Sequence, residues 1–323
     1  MKLLTILIFS GDRFNIKELL NDISKLNLRN INVRVVEWSE NKSVLRKKNK
    51  IYNFFKKFRK NFKVYYQKGN WEYKYSKYIN KFNSKYILVI GDDDRINVKN
   101  FEKLEKYLKN DLSGITLSFQ NFKKKEDIKF LKDLSKTKIR PFNLFKDLNK
   151  IGFTSCQIIN VNFIKKIIKK EKQYLLKTKL PQNFIILRII KKYGNWKILE
   201  KNCIYNQLGS FDNLWIKQNL LIRLKSEYLG YFIPLKKYYP NLKDNDVDKI
   251  YKHIFFKNII SWLFLSIRYF GKKKTFENIR SERKILQEPI IIKFFLFIIY
   301  LSPFFLLNLL RICRRILLKI NHV

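Results

Sequence analysis

Alanine is absent from this chain of 323 residues, and glycine occurs only nine times. Lys, Asn, Ile and Phe fill the space instead, the composition that a very AT-rich genome produces. Histidine occurs twice, as His253 and His322, both in the C-terminal region, so His-dependent triads and His-rich metal sites are not expected. The three cysteines, Cys156, Cys203 and Cys313, are far apart and form no Cys-x-x-Cys pair, which argues against a disulfide framework and a zinc site and for a reducing compartment. There is no Gly-x-Gly-x-x-Gly, no Walker loop and no Gly-x-Ser-x-Gly elbow. Acidic residues are scarce as well, 26 against 69 basic ones, giving a formal charge of +43. Codon bias does not explain why Lys so outnumbers Glu, so anionic partners are expected: lipid headgroups, phosphorylated substrates or nucleic acid. The apolar start Leu3 to Phe9 is cut short by Asp12 and Arg13 with no small-residue cleavage site, and reads as a first strand rather than a signal sequence.

Against this background the run Gly91-Asp92-Asp93-Asp94 stands out. It follows Tyr86-Ile87-Leu88-Val89-Ile90, a short, β-branched-rich segment with the pattern of a strand buried on both faces. Such a strand delivers its acids to the carboxyl edge of a sheet, where open α/β sheets bind ligands. Neighbouring carboxylates repel by roughly 1 kcal/mol per pair in water and about 4 kcal/mol at an effective dielectric near 20. A hard divalent cation, Mg²⁺ or Mn²⁺, held by Asp92, Asp93 and Asp94 and gripping substrate phosphates would relieve that repulsion. A solvated acidic turn is the alternative reading.

Strand-like and helix-like segments alternate over residues 1–210, the signature of an α/β sheet with crossover helices. Leu3 to Phe9, Val33 to Glu37, Tyr86 to Ile90, Gly114 to Phe119, Cys156 to Asn160 and Trp196 to Leu199 read as strands. Helices are expected from Ile16 to Leu26, Trp71 to Phe82, Val98 to Leu108 and Gln182 to Tyr193. Residues 1–115 have the size of a nucleotide-binding half and 116–210 that of an acceptor half. The stretch Lys42 to Lys63 mixes cations with Tyr52, Phe54, Phe55 and Phe58; single-strand binders do this, but the reading preferred here is a solvated loop on a basic protein.

Residues 211–323 change character and read as helical. Phe294 to Leu310 is uncharged, broken only by Ser302, Pro303 and Asn308, and is followed by Arg311, Arg314, Arg315 and Lys319. Seventeen helical residues reach about 26 Å, short of a hydrocarbon core of roughly 30 Å, and a central proline disfavours a straight span. A monotopic or re-entrant anchor within residues 289–320, arginines toward the anionic cytoplasmic leaflet, is preferred over a true span or a buried soluble helix.

In its ordered motifs the chain resembles the family 2 glycosyltransferases, which have the GT-A fold. Leu4-Thr5-Ile6-Leu7-Ile8-Phe9-Ser10-Gly11-Asp12-Arg13 resembles the family's opening strand, and Val35-Val36-Glu37 resembles the second strand, whose terminal acid meets the nucleotide base. Tyr86 to Asp94 is similar to the strand carrying the metal-binding Asp-x-Asp motif, and Gly-Asp-Asp-Asp is most like the abequosyltransferase-type members. Aligned on the strand, Gly91 and Asp93 occupy the two Asp positions; aligned on acids, Asp92 and Asp94 do. Phe9 and Gly11 depart from the usual Pro and Tyr. Gln182-Asn183, with Arg188 in the following helix, stands where many members have Glu-Asp. Neither amide accepts a proton near neutral pH, so the base lies elsewhere, with Asp212 a candidate, or the stereochemistry differs, or the chain is inactive.

The resemblance implies a GT-A Rossmann-like mixed sheet flanked by helices and a helical, membrane-associated C-terminal region. It implies a nucleotide-sugar donor bound by Ser10, Asp12, Arg13, Glu37 and Asp92. Thr154, Ser155, Gln182, Asn183 and Arg188 then lie on the acceptor side. The acceptor expected is a lipid-linked saccharide or a surface polysaccharide or lipopolysaccharide, at an anionic membrane surface on the cytoplasmic face of the inner membrane. Nucleic acid is not expected as a partner. A metal-dependent nucleotidyl or phosphoryl transferase, or a non-catalytic basic protein binding membrane or nucleic acid, are the alternatives.

Overall fold

The computed structural model describes residues 2–12, 15–26, 30–122, 128, 138–175, 180–207, 214–283, 289–303, 306 and 309. Arg13 and Asp212 lie outside them, as do Cys313, His322 and the basic cluster Arg311 to Lys319. The chain divides into two compact units, Met1–Asp212 and Asn213–Val323.

The first unit is built on a nine-stranded sheet: β1 (Lys2–Ser10), β2 (Ile31–Glu37), β3 (Phe62–Tyr66), β4 (Ser84–Gly91), β5 (Arg95–Ile96), β6 (Gly114–Phe122), β7 (Ile139–Pro141), β8 (Gln157–Asn160) and β9 (Trp196–Gln207). The order is β3-β2-β1-β4-β8-β6-β9-β5, with β7 paired to β9. β1, β2, β3 and β4 run parallel, and so do β6 and β9, whereas β8 runs antiparallel between β4 and β6. Leu4 and Ile6 to Phe9 on β1, and Tyr86 to Ile90 on β4, are buried along their whole length, so both sheet faces are covered and their apolar runs need no alternation.

The helices of this unit are α1 (Ile16–Lys25), α2 (Lys42–Phe58), α3 (Trp71–Tyr78), α4 (Val98–Glu102), α5 (Glu105–Leu108), α6 (Leu144–Asp147), α7 (Val161–Leu175) and α8 (Pro181–Tyr193). On α1, Ile16, Leu19, Leu20 and Ile23 fall on one face and are buried. Arg95 pins that helix to β5 through both oxygens of Asp22, at 2.5 and 2.6 Å. The segment expected as one helix from Val98 to Leu108 is two short ones, and Trp196 to Leu199 is only the start of a longer strand. β9 passes its polar residues Lys201 and Asn202 because the pairing with β6 shifts register around Ser118.

The larger correction concerns Lys42 to Phe58, which is a helix rather than a solvated loop. Asn41 caps it, its side chain accepting from the Ser43 and Val44 amides at 2.9 and 3.2 Å. Lys48, Tyr52 and Phe55 then recur at helical spacing and are all buried, while Phe54 and Phe58 point outward.

The second unit is helical: α9 (Leu214–Tyr238), α10 (Asp244–Ile254), a π turn (Phe255–Ile259), α11 (Ile260–Phe270), α12 (Lys272–Arg283) and α13 (Ile290–Leu301). Tyr231, Phe232, Tyr251, Phe255 and Leu263 are in its core. Among the described residues no helix is long and apolar enough to cross a membrane. α13 stops at Leu301, just ahead of Pro303, which cannot continue a helix ladder.

Candidate active site

Parallel register brings the ends of three strands to one edge. Ser10 lies opposite Glu37, and Phe9 lies opposite Gly91. The Asp92 amide donates to the Phe9 carbonyl at 3.2 Å, extending the β1 ladder past the strand end into the acidic triplet.

Asp92 is fully buried and turned toward β1. Its Oδ2 accepts from Ser10 Oγ at 2.9 Å and from the Gly11 amide at 3.2 Å. The same oxygen lies 3.7 Å from Lys48 Nζ, which is 3.3 Å from Glu37 Oε2; none of the three side chains has solvent exposure. Lys48 also donates to Ser10 Oγ at 2.6 Å, to Ser39 Oγ at 3.2 Å and to the Gly11 carbonyl. Glu37 takes hydrogen bonds from the Ser39 amide at 2.8 Å, from Ser39 Oγ at 2.6 Å and from the Tyr52 hydroxyl. Burial, reinforced by the Glu37 carboxylate, drives the Tyr52 hydroxyl well above its ordinary value, so it stays a donor. Asp12 accepts from the Glu40 and Asn41 amides at 2.8 and 2.9 Å, tying the β1 loop to the start of α2.

Asp93 and Asp94 face another way. A Cβ added to Gly91 would lie 2.8 Å from Asp93 Oδ1, 3.5 Å from Asp94 Oδ2 and 3.9 Å from Ser155 Oγ. Three oxygens therefore gather over a glycine that no larger residue could replace without displacing them. Ser155 connects two of the parts, its hydroxyl donating to Asp94 Oδ2 while accepting from the Gly91 amide at 3.1 Å. Asp93 is half-buried and Asp94 buried.

The three acids expected to share one ion are engaged differently, Asp92 with Ser10 and Lys48 and Asp94 with Ser155. Among the described residues no group of three or more His, Cys, Asp or Glu side chains is placed to hold a metal. Asp92 is drawn instead into the Lys48 network, because a buried ammonium demands a compensating carboxylate. What remains, two carboxylates and a hydroxyl, is an oxygen-only donor set that suits a hard cation completing its shell with phosphate and water.

The residues expected on the acceptor side divide. Ser155 is at the acidic cluster, and Thr154 is half-buried beside it in a 3₁₀ turn (Thr154–Cys156). Gln182 and Asn183 are fully buried at the start of α8, where Gln182 Nε2 donates to the Gly152 carbonyl at 2.8 Å. Gln157 braces the same loop from the other side, donating to the Lys150 and Phe153 carbonyls at 2.8 and 3.0 Å. Arg188 is half-buried, two turns along α8.

Two features had no counterpart in the sequence reading. Lys48 had one available signal, its helical spacing with Tyr52 and Phe55. The other is an ion network at β7 and α6, where Arg140 contacts both oxygens of buried Asp147 at 2.6 Å and Glu200 at 2.7 Å. Burial alone would raise the Asp147 carboxyl, but hydrogen bonds from Arg140, the Asn143 amide and Lys150 outweigh it and hold the group below its ordinary range. Near the β2 edge, Lys74 Nζ sits 3.6 Å from the Trp38 ring centroid, and burial lowers this lysine to about 8.

Solved structures share the architecture. S. aureus TarS, residues 1–349, superposes with a TM-score of 0.60 at 12% identity, covering 86% of this chain and 78% of that one. The fold is GT-A-like. The same TarS fragment in complex with UDP-GlcNAc gives a TM-score of 0.51 at 12% identity over 88% of this chain and 91% of that one. The mannosyltransferase PcManGT from Pyrobaculum calidifontis, in complex with GDP-Man and Mn²⁺, gives 0.50 at 7% identity over 88% and 76%. No protein-family model matches the chain, and no curated protein does.

Proposed function

We propose that this chain is a nucleotide-sugar-dependent glycosyltransferase of the family 2 type, beside its abequosyltransferase-like members, assisted by Mn²⁺ or Mg²⁺. The observation that carries this reading is the set of three oxygens, from Asp93, Asp94 and Ser155, gathered over Gly91 at the carboxyl edge of a GT-A-like sheet. The donors and the Mn²⁺ bound to TarS and PcManGT support it. The acceptor is a lipid-linked saccharide or a surface polysaccharide, met at the cytoplasmic face of the inner membrane.

Breaking a sugar–diphosphate bond leaves negative charge on the departing nucleoside diphosphate. A divalent cation held by Asp93 and Asp94 would supply Lewis-acid stabilisation of that charge. Ser155 fixes the Asp94 oxygen by donating to it, and its own orientation is set by the Gly91 amide. Lys48 acts at one remove, locking Asp92, Glu37 and the Gly11 carbonyl so that the strand ends form one rigid floor. Gln182 and Asn183 are amides without solvent contact, so the proton of the acceptor hydroxyl goes to another group, for which Asp212 is the candidate.

Thermal stabilisation by a panel of UDP, GDP, TDP and CDP, with and without Mn²⁺, tests the reading and selects the donor. One diphosphate should raise the melting temperature, and more so with Mn²⁺. Stabilisation confined to nucleoside triphosphates, with pyrophosphate released on incubation, would replace it with nucleotidyl transfer.

A further inference from the structure

In the second unit, α13 is apolar nearly all round but covered on one side only. Ile292, Leu296 and Ile299 are buried, whereas Ile290, Ile291, Phe294, Phe297 and Leu301 are 84, 52, 63, 58 and 62% exposed. At about 100° per residue these five side chains and Ile298 share a continuous stripe about 120° wide. The helix is not loosely placed. Lys272 at the start of α12 donates to the Tyr300 carbonyl at 3.2 Å and to the Ser302 carbonyl, which satisfies the end of α13. Phe276 packs edge-on against Tyr300 at 5.2 Å. Between the two helices lies an open groove of about 830 Å³ whose lining joins Lys273, Arg280 and Lys293 to Phe276, Phe294 and Phe297.

We infer that this face is an in-plane membrane anchor for an anionic phospholipid bilayer. Twelve helical residues reach about 18 Å, too short to span but well matched to lying in the interface with one side at the acyl boundary. The charge beside the stripe is complementary to anionic headgroups, three cations, Lys273, Arg280 and Lys293, against one acid, Glu277, in the groove lining. Lys273, Arg280 and Lys293 are exposed next to the stripe, at the level of lipid phosphates when the phenylalanines insert. This inference deepens the membrane element of the proposed function and rests on that reading only for its place in the cell; its residues belong to the helical unit and its readout needs no sugar transfer.

The test is sedimentation of the full chain with phosphatidylglycerol/phosphatidylcholine vesicles, at low salt and at 1 M NaCl. Because the whole chain is basic, low-salt binding alone does not discriminate; the salt-resistant fraction does, since apolar insertion is not screened. Phe294→Ser/Phe297→Ser should lower that fraction at least tenfold while keeping the wild-type circular dichroism spectrum and melting temperature. Lys273→Gln/Arg280→Gln/Lys293→Gln should weaken binding at low salt only. Phe297→Trp should show a blue-shifted emission on adding anionic vesicles. Equal salt-resistant binding by wild type and the double serine variant would overturn the inference, as would no vesicle binding at all. It would equally fail if the stripe proved to be covered by a second copy, seen as a concentration-dependent dimer that the serine variant abolishes.

Discussion

An ammonium without solvent contact has to be matched by negative charge, and Lys48 is matched twice, by Glu37 at 3.3 Å and Asp92 at 3.7 Å. Removing one partner of a buried ion pair typically costs about 3–5 kcal/mol, because the remaining charges are left uncompensated. Lys48→Met should therefore destabilise the first unit by about that amount in chemical denaturation, and adding Glu37→Gln should recover part of the loss. A cost below about 1 kcal/mol would show that Lys48 is replaceable at the strand ends. Asp147 offers a pH test of the same principle. Its carboxyl is held below its ordinary value in the folded chain, so its contribution is fully present above the unfolded pKa near 3.9 and fades as pH falls through the lower folded value. Between pH 5 and pH 2 the wild type should lose more stability than Asp147→Asn, measured as the shift of the denaturation midpoint. Parallel pH curves would contradict the assignment. At this scale the sequence pointed to the acidic triplet but not to its division. Asp92 is engaged by a lysine on another element while Asp94 meets Ser155, and no local pattern around residue 92 announces that.

Elements whose residues share one environment were the readable ones. β1 and β4 are continuous apolar runs because both sheet faces are covered, and α1 shows a single buried stripe. α2 was hidden by its lysines, which suggest solvent until the spacing of Lys48, Tyr52 and Phe55 is weighed above their charge. β5 and β7, at two and three residues, are too short to carry a period and exist because β9 runs long enough to pair with both. The junction of β6 and β9 gives an element-scale prediction. A Cβ on Gly114 would lie 2.3 Å from Trp196 Cζ3, and that indole is buried with its Nε1 donating to Thr116 Oγ1 at 3.0 Å. Gly114→Ala should destabilise by about 1–3 kcal/mol through overpacking. A thermal melt unchanged from wild type would mean that the indole has room to move.

On the scale of the whole molecule, the first unit presents a sheet edge carrying Asp92, Asp93 and Asp94 and the second a helical body with one bare apolar stripe. The sheet was legible from its alternating segments and the end of α13 from Pro303, whereas its start was not, since the helix begins at Ile290 and carries Lys293 ahead of the uncharged run. The central claim is that the oxygens over Gly91 form a cation–diphosphate site. Calorimetric titration of the diphosphate selected by the panel, with and without Mn²⁺, tests it on wild type, Asp93→Asn and Gly91→Ala. Wild type should bind at least tenfold tighter with Mn²⁺, and both variants should lose that gain while keeping the metal-free affinity. Metal-independent binding by wild type, or a Mn²⁺ gain that survives in Asp93→Asn, would contradict the account.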